Sequence, residues 1–188
     1  RGTEGDGSLT RQAQRLGWGG MEPRQPQPCR VITVSDRSAA GTREDRSGPV
    51  LVELLAAAGY HVSAAIVPDG EASVQAAIGA ALAAGARLVV TTGGTGVGPR
   101  DRTPEGTRAA VDRELPGVAE LLRARGALAS AHAALGRGIA GVVDATAAHP
   151  GALVVNLPGS PAAAADGIAV VLPLVPHVLD QLAGGDHP

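Results

Sequence analysis

Leu88 to Glu105 reads LVVTTGGTGVGPRDRTPE, and this stretch decides the fold. Leu88 to Thr92 is a short aliphatic and β-branched run of the kind a buried strand shows. Gly93, Gly94, Thr95 and Gly96 then break the run into a turn. Thr103, Pro104 and Glu105 stand in the order of a helix start: a capping hydroxyl, a proline at the first helical position and an acid in the first turn.

The same strand-then-helix grammar repeats upstream. Val31 to Val34 is a β-branched run, and SGPVLVELLAAAG, Ser47 to Gly59, follows with helical spacing, Val50, Leu51, Leu54, Leu55 and Ala58 sharing a face. Ser47 suits a cap and Gly59 the C′ position. Tyr60 to Val67 predicts a second strand. Val74, Ala77, Ile78, Ala81 and Leu82 predict a second helix, closed by Gly85. Strands separated by helices imply crossover connections and a mainly parallel sheet covered on both faces, a three-layer α/β sandwich. In such sheets ligands bind outside the carboxyl ends of the strands, so Ser35 to Arg37, Pro68 to Gly70 and Thr91 to Gly96 should converge on one edge.

Downstream, a helical stretch is expected from Thr103 to about Leu135, broken at Pro116 and Gly117. Gly138 to Val143 and Ala152 to Leu157 flank a turn at His149, Pro150 and Gly151 and predict two paired strands. Ser160 and Pro161 again have the form of an N-cap and first helical residue, and a last helix covers about Leu174 to Leu182. Residues 1–28 lack sustained periodicity and read as a disordered tail containing Trp18 and Met21, ahead of one folded domain over 29–188.

Composition narrows the function. The chain has 188 residues, 44% of them apolar, with a net charge of only −2, which argues against a polybasic nucleic-acid binder. Trp18 and Tyr60 are the two aromatic residues, too few for base-stacking platforms. No lysine occurs, which removes P-loop and Schiff-base chemistry. Cys29 is the single cysteine, consistent with a reducing cytoplasm, and no apolar run of about 18 residues suggests a membrane span. No GxSxG motif occurs, and the five histidines show no metal-ligand spacing.

The loops hold the candidate chemistry. Consecutive glycines let several backbone N–H groups face one anion, or they simply make a tight turn. Arg100 offers phosphate charge and Asp101 a carboxylate for a metal or a proton. Asp69 either meets Asp101 across the edge, where two carboxylates can share Mg2+ with phosphate oxygens, or makes an Asx-turn. Ser35 with Asp36, and Asp45 with Ser47, are caps or ligand contacts. Asn156 either reads a heterocycle edge or ties the following turn.

Taken in order, VSDR, DRSGP, VPDG, TTGGTGVGPRDRTPE and NLPGSP resemble the molybdopterin adenylyltransferase family, the Mog/MoaB-like fold also seen in the G domain of gephyrin. The resemblance covers roughly Arg30 to Leu182. It implies a homotrimeric cytoplasmic enzyme of molybdenum cofactor biosynthesis with ATP and molybdopterin as substrates and Mg2+ as cofactor. It further implies a downstream molybdenum-insertion protein as partner, and neither nucleic acid nor membrane. By the same resemblance, Asp69 and Asp101 match the family's catalytic aspartates and would hold Mg2+. Thr92, Gly93, Gly94, Thr95 and Gly96 would cradle phosphate together with Arg100. Asp36, Ser47, Asn156, Gly159 and Ser160 match pocket positions. Family members often carry Ser where this chain has Gly136, and with no lysine present Arg37, Arg100 and Arg137 would carry the cationic phosphate contacts. A non-catalytic molybdopterin-binding paralogue or scaffold is the alternative.

Overall fold

The structure, a computed structural model, describes residues 26–185. Trp18, Met21, His187 and most of the expected tail lie outside the described residues. In chain order the elements are β1 (Pro28–Val34), α1 (Asp36–Ala39), α2 (Ser47–Ala57), β2 (His61–Val67), α3 (Glu71–Ala83), β3 (Leu88–Thr92) and α4 (Thr103–Arg108). There follow β4 (Arg113–Glu114), α5 (Pro116–Ala127), a 3-10 turn (Ala131–Leu135), β5 (Ala140–Val143), β6 (Ala152–Leu157), α6 (Pro161–Val171) and α7 (Val175–Leu182). The strands form one sheet in the order β2-β1-β3-β6-β5-β4. β2, β1, β3 and β6 run parallel, whereas β5 runs antiparallel to both β6 and β4.

Alternation along the strands splits the core into two layers, because successive side chains of a strand point to opposite faces. Val31, Leu88, Val90, Leu153 and Val155 face α2, α6 and α7 and meet Leu51, Leu55, Ile168 and Val175. Ile32, Val34, Val89 and Val154 face the other way and meet Val74 and Ile78 of α3. Each such aliphatic side chain, wholly removed from water, contributes about 1.5–3 kcal/mol. The expected α/β sandwich with a mainly parallel sheet is the observed one. Among the described residues no single helix is long and apolar enough to cross a membrane; α6 and α7 pass that test only as a pair, bent by 53°, and their apolar faces lie against the sheet.

Four local expectations need correction. β1 reaches back to Pro28, ahead of its β-branched run, because it pairs on both sides with β2 and β3 and the Arg87 N–H donates to Pro28 O at 2.8 Å. The helical stretch after Thr103 does not run on to a break at Pro116. It ends at Arg108, an edge strand intervenes at Arg113–Glu114, and Pro116 starts α5, where its missing N–H costs nothing. The cap of α2 is not Ser47: Asp45 Oδ1 accepts from the Ser47 and Gly48 N–H groups at 3.1 and 3.0 Å. Nor does Thr103 cap α4, since its hydroxyl donates backward to Gly93 O at 2.8 Å.

Candidate functional site

Four strand ends open on one side of the sheet, and the segments leaving them enclose a cleft of about 630 Å3. β1 supplies Thr33, Val34 and then Ser35 to Ser38; the lead-in to α2 supplies Arg43 to Ser47; β2 supplies Asp69. β3 supplies Thr92, Gly93, Gly94 and, further along the loop, Asp101, and β6 leads into Gly159, Ser160 and Pro161. A parallel sheet places these turns side by side because its strands share one direction.

The floor is glycine for a steric reason. Gly93 has φ 100°, and a Cβ there would stand 2.4 Å from Val34 O. Its N–H is donated to Leu157 O at 3.2 Å and its carbonyl accepts from Thr103, so Gly93 ties β3 to β6 and α4 and offers no amide to an anion. Among the described residues, the N–H groups of Gly94, Thr95 and Gly96 meet no protein acceptor. Ser160 caps α6, accepting from Ala163 N at 3.3 Å, which leaves the α6 N-terminus facing the same cleft.

The acidic residues are held in detail. The Asp36 N–H donates to Asp69 Oδ2 at 2.7 Å and the Asp69 N–H donates to Asp36 Oδ1 at 3.0 Å, a reciprocal clasp between the ends of β1 and β2. Arg100 closes it from outside, its Nε and Nη2 each 3.1 Å from a carboxylate oxygen of Asp36 and its Nη2 2.6 Å from Asp69 O. The Arg100 hydrogen bond, helped by the Asp69 N–H and the Arg100 charge, holds the Asp36 carboxyl below the usual aspartate range against an opposing desolvation. Asp101 Oδ2 accepts from the Gly98 N–H at 2.8 Å. Asp69 Oδ1 and Asp101 Oδ1 take no hydrogen bond from the described residues. Asp45, besides capping α2, accepts from Thr33 Oγ1 at 2.7 Å.

Of the residues singled out in the sequence, Asp36, Ser47, Asp69, Thr92, Gly93, Gly94, Asp101, Gly159 and Ser160 all line the cleft. Thr95, Gly96, Arg100 and Asn156 do not. Asn156 is 3% exposed. Its Oδ1 accepts from Ile139 N at 3.1 Å and its Nδ2 donates to Thr91 and Thr107 hydroxyls at 2.9 and 2.8 Å. Its amide therefore locks β6 to β3, α4 and the lead-in to β5, and is not turned to a ligand. Arg137 is also taken from the expected phosphate contacts, because its guanidinium is spent on the loop itself.

Sequence reasoning missed the contribution of Ser38, Arg43, Glu44 and Arg46. For the three charged residues the signal was present in the run REDRS, Arg43 to Ser47, which leads into α2 in the connection leaving the carboxyl end of β1. The titratable lining now comprises five carboxylates and three guanidiniums, those of Arg37, Arg43 and Arg46. An anion entering a carboxylate-rich cleft needs a compensating cation. Among the described residues no group of three or more His, Cys, Asp or Glu side chains could hold one alone. Two carboxylates with free oxygens suit a Mg2+ ion that completes its shell with phosphate and water.

Comparison with known proteins follows the same lines. The family described as "Probable molybdopterin binding domain" matches residues 30–177. A molybdopterin adenylyltransferase of Pyrococcus furiosus is 41% identical over 150 residues, 79% of this chain and 87% of the relative. A molybdenum cofactor biosynthesis bifunctional protein of Synechococcus elongatus is 44% identical over 158 residues, covering 84% of this chain and 48% of the relative, so the chain spans about half the length of that protein. The crystal structure of the tungsten cofactor synthesizing protein MoaB from Pyrococcus furiosus superposes with a TM-score of 0.78 at 37% identity, over 85% of this chain and 99% of that one.

Proposed function

Since the chain belongs to the family of probable molybdopterin binding domains, we propose that it works in molybdenum cofactor biosynthesis as a molybdopterin adenylyltransferase. A phosphate oxygen of molybdopterin attacks the α-phosphorus of ATP. The new P–O bond forms as the bond to the bridging oxygen breaks, and pyrophosphate leaves. No protein nucleophile is needed, so the work of the chain is positioning and charge neutralisation. The observation that carries this reading is the meeting of Asp69, Asp101, the Gly93–Gly94 turn and the Ser160 helix start around one cleft.

Gly94 lets the backbone approach a phosphate, whereas Thr95 and Gly96, expected in the same cradle, stand outside the cleft lining. The α6 N-terminus at Ser160 and Gly159 attracts a second anionic group. Arg37, Arg43 and Arg46 supply the cationic side chains. Asp36, clasped to Asp69, keeps that carboxylate turned into the cleft, and Arg100 holds the clasp shut. Asp69 and Asp101 would hold Mg2+, which supplies charge neutralisation between the phosphates and the carboxylates. Relatives carrying the adenylyltransferase name support this assignment, as do the three strand-end motifs brought to one edge.

Incubation with molybdopterin and Mg-ATP should release pyrophosphate and yield adenylylated molybdopterin. Absence of product, under conditions where an active relative gives it, sinks the reading. Asp101→Asn should keep the fold and molybdopterin binding and lose turnover by about 100-fold or more. Tight molybdopterin binding without ATP consumption would instead mark a non-catalytic binding protein. Assembly as a homotrimer predicts a sedimenting mass three times the 18.6 kDa chain. The reduced, buried Cys29 suits a cytoplasmic enzyme, and the product would pass to a molybdenum-insertion protein.

A further inference from the structure

Arg137 sits between the 3-10 turn and β5, far in sequence from the loop it touches. Its own N–H donates to Thr95 O at 2.9 Å. Its Nε donates to Gly96 O at 2.6 Å, its Nη2 to Asp101 O, and its Nη1 to Glu105 Oε1 at 2.6 Å. One residue therefore grips the start and the end of the Gly96–Asp101 loop and the first turn of α4. Only a planar guanidinium with donors along several edges can hold three acceptors so arranged; an ammonium group is a point charge.

Glu105 depends on the same contact. Its Oε2 is buried with no hydrogen-bond partner, while Oε1 receives Arg137 and lies 3.6 Å from Arg102 Nη1. Burial disfavours the charged carboxyl, but the Arg137 hydrogen bond, a backbone hydrogen bond and the two arginine charges outweigh it and hold Glu105 below the ordinary glutamate range. The side chain of Arg137 is 35% exposed and that of Glu105 24%, and neither lines the cleft.

We propose that Arg137, oriented by Glu105, is the positioning residue for Asp101: it pins the main chain from which the Asp101 carboxylate enters the cleft and makes no contact with substrate itself. The inference rests on the adenylyl-transfer reading for its kinetic consequence, though the pinning is a property of the loop alone. A shift of about 1 Å in a reacting group costs roughly 100-fold in rate, so loosening the loop should lower kcat and leave the KM values for ATP and molybdopterin unchanged.

The test compares wild type with Arg137→Lys, Arg137→Met and Glu105→Gln, each checked for native circular dichroism. Expected are faster amide hydrogen exchange at residues 96–101 with α6 unaltered, Mg-ATP affinity by calorimetry equal to wild type, and a fall in kcat of about 10- to 100-fold that lysine does not rescue. A rise in KM or in the Mg-ATP Kd with kcat preserved would show that Arg137 contacts substrate and overturn the proposal. Unchanged exchange at residues 96–101, or full rescue by lysine, would overturn it as well. If wild type itself yields no adenylylated product, the adenylyl-transfer reading falls, and the exchange and calorimetry arms still decide whether Arg137 pins the loop. Should Arg137→Met fail to fold, Arg137→Lys and Glu105→Gln carry the same comparison.

Discussion

At Gly94, φ is 61° and a Cβ would stand 2.3 Å from Thr103 Oγ1 and 3.1 Å from Asp69 Oδ1. That carbon would break into the contact holding α4 to the loop and crowd a carboxylate of the cleft. Gly94→Ala should therefore lose about 2 kcal/mol or more of stability in urea titration, whereas Gly59→Ala meets nothing within 4 Å and bears only the backbone strain of its φ of 87°. Glu105 gives a pH signature. Its carboxyl is held below its ordinary value in the folded chain, so the stability it contributes is fully present above the unfolded glutamate pKa, about 4.3, and is lost as pH falls through the lower folded value. The stability gap between wild type and Glu105→Gln should narrow on acidification; a gap that widens would contradict the ion pair. Cys29 is 2% exposed and burial pushes its thiol up to about 12, so an aromatic disulfide reagent should label it only on unfolding.

The start of α2 separates two assignments that the sequence left open. Asp45 accepts from two helix N–H groups and from Thr33, while the Ser47 hydroxyl reaches only the same carboxylate, at 3.4 Å. Asp45→Ala should cost about 2 kcal/mol, at the upper end for a lost cap, and Ser47→Ala less than about 0.5 kcal/mol, measured by denaturant unfolding. Equal costs would return the cap to Ser47. Element periodicity was readable wherever one face is buried: α3 lays Val74, Ile78 and Ala81 on the sheet as their spacing predicts. It failed at β4, whose two residues are both exposed and carry no alternation to read. The strand exists because Asp112 and Leu115 donate to Val142 and Ala140 carbonyls of β5, and only tertiary neighbours supply those acceptors.

At the scale of the molecule, a single sheet separates two apolar layers that share no side chain. Leu55→Ala on one face and Ile78→Ala on the other, both 0% exposed, should each cost about 2–5 kcal/mol and add in the double variant, within one cooperative unfolding transition by circular dichroism. Two separated transitions would mean that the layers are independent.

The α/β class, the alternation of β1, β2 and β3 with helices and the strand-end position of the glycine turn were determined by the sequence alone. They follow from apolar period and from glycine and proline punctuation, which are local properties of the chain. Asp36, Asp69, Asp101 and Ser160 were legible as cleft residues for the same reason, since parallel strands deliver their carboxyl ends to one edge. The tertiary structure alone decided the fate of Asn156, Thr103, Arg100 and Arg137. A polar side chain beside a motif is chemically equal to a ligand until its partners are known, and the partners of these four lie as far as 65 residues away in sequence. Hydrogen bonds formed across such separations leave no periodic trace in the chain, so the phosphate contact that Arg137 suggested became a clasp on the loop bearing Asp101.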